Sequence, residues 1–178
     1  MVKNSENSWT ERWMKTALIQ GAIIFILSFF LIVSNVGILK PEVSRVIASG
    51  GAGTWVLFGL IMYIILAGIA TAVTSYLYFY IEHVKKIKIG KLENKLAWIH
   101  LIFSNIGAFI AFMLMIYGGY KGGAAMLPKE VGGLGQSAYQ VHQEILGPLV
   151  LPILISLLIL SIGVLAGGLS IVLSLRKK

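Results

Sequence analysis

The chain has 178 residues, of which 57% are hydrophobic and only 12% are charged, with a mean hydropathy of +0.87. That balance excludes an ordinary water-soluble domain. The formal charge is +8, and the absence of cysteine excludes disulfides, thiolate metal sites and iron–sulfur ligation by cysteine.

Four uninterrupted apolar segments, each bounded by charges, predict transmembrane helices at about 16–39, 54–81, 97–120 and 145–175. A helix needs roughly 20 apolar residues to cross a hydrocarbon core about 30 Å thick, and each segment is long enough. Backbone groups in lipid must be satisfied within the segment, and the alternation of a barrel strand is missing, so the spans are helices. The expected fold is all-α: an integral membrane four-helix bundle forming one membrane domain over 1–178.

The first segment follows a leader that carries Glu6, Trp9, Glu11 and Trp13 and lacks a small-x-small cleavage pattern, so it is expected to be retained as a helix. The loop after it, KPEVSRVIASGGAGTW, is rich in Gly and contains Pro. In the second segment Ala67, Gly68, Ala70 and Ala72 form a patch of small residues. The short connection KKIKIGKLENK then leads into the third segment. The longer loop that follows, YKGGAAMLPKEVGGLGQSAYQVHQE, is again rich in Gly. Pro148 and Pro152 are expected to bend or loosen the first turns of the fourth segment. Farther along, Gly163 and Gly167 form a GxxxG, a helix-packing motif whose missing side chains let backbones approach.

Eleven of the fifteen Lys and Arg fall at the two termini and in the connection between the second and third segments, and four fall in the other two loops. The positive-inside rule therefore places the N-terminus and C-terminus both inside. The same charge attracts anionic headgroups, so membrane lipids are expected partners and nucleic acid is not. The expected location is the cell membrane, as a multi-pass protein.

Candidate chemistry is sparse. Asp, Glu, Lys and Arg are missing from the predicted spans, as is a central His, which argues against an ion-coupled carrier. Gln20, Ser28, Ser34, Asn35, Thr71, Thr74, Ser75, Ser104, Asn105, Ser156, Ser161 and Ser170 supply the polar groups, and these are expected to bond to backbone or to a neighbouring helix. His83 and His100 stand at the predicted inner ends of the second and third spans. Two readings apply to them: boundary residues among Tyr76, Tyr78, Tyr80 and Trp98, or axial ligands of a haem b. His142 falls at the opposite side. No Walker loop, HExxH or GxSxG occurs, and GGLGQS lacks the strand-then-helix setting of a phosphate cradle, so no catalytic or metal residue is assigned.

The run Trp98-Ile99-His100, then Gly107, then GGYKGGAAMLP ending at Pro128, then Tyr139 and a last helix closed by LSLRKK resembles the C-terminal helices of haem-copper terminal oxidase subunit I. GTWVLFGLIMYIILAGIATAVTSYLYFYIEH, residues 53–83, is similar to the tenth helix of that family, so the likeness covers about 125 residues. Where the family places a His-aromatic-His pair that holds its haems, this chain has Trp55, Val56, Leu57 and Phe58. Three histidines in total cannot furnish two haems and a copper centre. The resemblance therefore implies a non-catalytic integral membrane subunit, packed beside other subunits of a respiratory electron-transfer complex, with no cofactor of its own. The alternatives are a small haem-b anchor that exchanges electrons with quinone through His83 and His100, or a small uncoupled transporter.

Overall fold

The computed structural model describes residues 8–37 and 39–177. Lys3, Glu6 and Lys178, which enter the charge reading, lie outside the described residues. The described chain is all-helical, and four helical stretches are long and apolar enough to cross a membrane: Trp9–Val36, Gly51–Val84, Lys91–Met126 and Ala138–Leu175. They are called the first to fourth spans below.

Each span begins upstream of its apolar run, because local chemistry rather than hydropathy sets the ends. The first starts at Trp9, where the Ser8 side chain accepts the Glu11 N–H at 3.1 Å and so caps the helix. The third runs the 36 residues from Lys91 to Met126, about 54 Å at 1.5 Å per residue, so its ends project beyond a hydrocarbon core. It stops where Leu127 turns extended (ψ 151°), the conformation imposed on a residue that precedes proline. The fourth starts at Ala138 behind a capping box: Ser137 Oγ accepts the Gln140 N–H, and Gln140 Oε1 accepts the Ser137 N–H.

Three helical turns are widened to π geometry: Ile64–Ile69 and Tyr80–Val84 in the second span, and His142–Leu146 in the fourth. Pro148 and Pro152 do not interrupt the fourth span. The helix carries on through Gly147–Leu175 with Pro152 inside it, and the wide turn His142–Leu146 lies directly before Gly147 and Pro148.

The helices run antiparallel, which leaves two distinct ends. At the termini end, Trp9, Trp13, Tyr78 and Ala97 form a buried aromatic cluster. At the far end, Ala52, Ala125, Val141 and Leu146 form an aliphatic cluster, and the short helix Val43–Ala48 places Val46 against Gly53 and Gly123. Both far loops are folded onto this end. The Tyr120 hydroxyl donates to Pro41 O at 3.0 Å, and the Gln136 N–H donates to Ala125 O at 2.9 Å.

The third and fourth spans form the most extensive helix pair. Their seam is built of glycine. A Cβ on Gly107 would lie 2.6 Å from Leu160 N, and one on Gly163 would lie 2.5 Å from Ser104 N. Gly163 and Gly167 thus pack within the chain, against the third span. The reason is that apolar surface is no more favourable against a helix than against lipid, so close dispersion contact between backbones holds the pair.

Candidate functional site

The structure collects its polar and aromatic groups in two places, near the middle of the bundle and at the termini end. In the middle, Gln20 of the first span meets two other helices. Tyr63 OH donates to Gln20 Oε1, Gln20 Nε2 donates to Asn105 Oδ1 at 2.8 Å, and Asn105 Nδ2 donates to Leu101 O at 2.8 Å. Tyr63 is fully buried and sits directly before the wide turn Ile64–Ile69, in the same core cluster as Ala67, Ala108, Phe112 and Leu160. Three helices are tied here by groups that would otherwise be unpaired in hydrocarbon.

At the termini end the assembling group is a carboxylate. Glu82, from the last turn of the second span, accepts the Trp9 N–H at 2.9 Å, the Thr10 N–H at 3.0 Å and the Thr10 hydroxyl at 2.7 Å. These amides belong to the first turn of a helix, where no intrahelical carbonyl is available and the dipole favours negative charge. Trp9 Nε1 donates to Asn94 Oδ1 at 2.9 Å, which brings in the third span. The Arg12 guanidinium lies 4.7 Å from the ring centroids of both Trp9 and Trp98, a cation held between aromatic faces at a helix end. The fourth span joins through its last turns: Lys177 pairs with the buried carboxylate of Glu93, and Ser170 Oγ donates to Glu93 O at 2.9 Å while receiving the Tyr78 hydroxyl at 3.3 Å.

His100 lies inside this cluster, about two and a half helical turns into the third span. Its ring is buried, its centroid stands 4.5 Å from that of Trp13, and Gly167 of the fourth span backs it so closely that a Cβ there would fall on the imidazole. His100 Nδ1 and Trp13 Nε1 are both buried with no hydrogen-bond partner. His83 has other surroundings: it is exposed and stacks on Phe79 with centroids 5.0 Å apart. A haem held by two histidines needs both imidazoles to enter one slot between helices. One ring here is enclosed by Trp13 and Gly167 and the other stacks at the surface, so the residues present do not fit a bis-histidine haem. His142 is exposed at the far end. Among the described residues, no three of His, Cys, Asp or Glu converge to hold a metal.

Sequence reasoning named Gln20, Asn105 and Ser170 as structural polar groups, but it missed Glu82 and Glu93. The signal for both was their position, each an acid placed beside an apolar run in an otherwise lysine-rich connection. Their partners, Trp9 and Lys177, are more than 70 residues away in sequence and could not be read from it. What the arrangement does chemically is bind helices together: a capped helix end, a caged cation and amides that answer one another. Comparison with known proteins found no matching family model, curated protein or solved structure.

Proposed function

We propose that this four-span chain is a non-catalytic integral subunit of a larger complex in the cell membrane, an accessory chain of an electron-transfer assembly of the haem-copper oxidase kind that its sequence resembles. One observation carries the reading. The polar side chains in the middle of the bundle bond to one another across helices, as in Gln20 with Tyr63 and Asn105. A carrier presents such groups to a solute path; a scaffold spends them on its own helix contacts. Around this interior the first span exposes Leu18, Ile19, Phe25, Ile26, Phe29 and Ile32, an apolar surface suited to lipid tails and to neighbouring helices.

Affinity purification of the intact chain in a mild detergent tests the proposal. Oxidase-type subunits are expected to copurify in fixed ratio, and recovery of the chain alone would overturn it. A haem-b anchor, the alternative reading, would need the His100 ring to leave its enclosure between Trp13 and Gly167. A stoichiometric Soret band, lost in His100→Ala, would establish that reading in place of the accessory one.

A further inference from the structure

A groove of about 450 Å³ opens at the far end between the third and fourth spans, lined by Tyr117, Lys121, Leu134, Glu144, Pro148 and Leu149, with Ala125 and Ile145 behind them. Its charges are of opposite sign and both are exposed. Among the described residues no ion pair joins Lys121 to Glu144, so the two share the groove without pairing to each other.

Three further features give the groove a direction. Glu144 sits in the wide turn His142–Leu146, which departs from α-helical spacing where the carboxylate must face the groove. Gln136 Nε2 donates to Glu144 Oε2 at 3.3 Å, while the oxygen of the same amide is buried without a partner. That amide oxygen is enclosed and outside the groove lining, so the acceptor that faces the groove is the Glu144 carboxylate. Finally, polarity is graded with depth: Tyr117 lies one turn deeper than Lys121 along the third span, and Pro148 and Leu149 lie one turn deeper than Glu144 along the fourth. The rim is charged and the floor is apolar.

We propose that this groove is a binding site for a zwitterionic phospholipid of the ethanolamine class. The phosphate pairs with Lys121, the ammonium donates to the Glu144 carboxylate, and an acyl chain runs down past Tyr117, Pro148 and Leu149. The headgroup follows from donor counting. A primary ammonium carries N–H donors for the Glu144 carboxylate, a choline carries none, and a glycerol headgroup brings no positive charge to it.

The test uses the full chain, purified in detergent and loaded in turn with phosphatidylethanolamine, phosphatidylcholine or phosphatidylglycerol of matched acyl chains, with retained lipid counted by native mass spectrometry. Phosphatidylethanolamine is expected to be retained about tenfold better than either of the others, the scale of one hydrogen bond to a charged group. Glu144→Gln should abolish the preference over phosphatidylglycerol. Lys121→Gln should weaken retention of both zwitterionic lipids, and Lys129→Gln, exposed but outside the groove, should change nothing. These side chains are at the surface, so the variants keep the fold. Equal retention of the three lipids, or an undiminished ethanolamine preference in Glu144→Gln, would overturn the proposal. So would displacement of the lipid by soluble phosphoethanolamine, which would make the headgroup alone the ligand.

Discussion

The Glu82 carboxylate accepts the Trp9 N–H at 2.9 Å, so the end of the second span caps the start of the first. With the two Thr10 bonds included, one acid satisfies three donors that no intrahelical carbonyl can reach. Glu82→Ala is therefore expected to destabilise the chain by about 1 kcal/mol, the usual loss when a cap is removed. Hydrogen exchange at the Trp9 and Thr10 amides should accelerate in that variant. Protection unchanged from the parent chain would show that the cap is dispensable.

The glycines of the fourth span give a sharper comparison. A Cβ at Gly167 would fall on the His100 ring, whereas Gly168 has nothing within 4 Å of the same position. Gly167→Ala should cost about 1–3 kcal/mol through overpacking, and Gly168→Ala, one residue away, should be tolerated. Thermal unfolding in detergent reads both; equal effects would mean that the seam relaxes.

For the central amide network, a double-mutant cycle on Gln20→Ala and Tyr63→Phe is the natural measurement. A coupling of about 0.6 kcal/mol is expected, the average for a hydrogen bond between transmembrane helices. A value indistinguishable from zero would argue that the two residues are neighbours without a bond.

The charge distribution carries its own prediction. Since the parent chain has no cysteine, single cysteines report sidedness without background. Lys88→Cys, in the connection between the second and third spans, should react with an impermeant maleimide only after the membrane is opened. Ser137→Cys, in the second far loop, should react in intact cells. The reverse pattern would invert the topology.

Much of this architecture was legible in the sequence because the membrane imposes it. Four apolar runs of sufficient length had to be four helices, and the bias of Lys and Arg gave an expected sidedness before any contact was known. The helix ends were not legible from hydropathy, since Ser8, Leu127 with Pro128, and the box of Ser137 and Gln140 set them through backbone hydrogen bonding. The first far loop reads as irregular yet contains the helix Val43–Ala48, whose Val46 is buried against Gly53 and Gly123.

Which faces meet was decided only by tertiary structure. A soluble helix advertises its buried side with an apolar stripe, but a helix that is apolar all round, as these spans are, carries no such mark. The pairing of Gln20 with Asn105, of Glu93 with Lys177 and of Gly167 with His100 depends on helix rotation and close approach across long sequence separations. Composition thus determined that the chain has four helices long and apolar enough to cross a membrane. Packing between backbones, and the need to satisfy each polar group inside hydrocarbon, determined how the four helices close on one another.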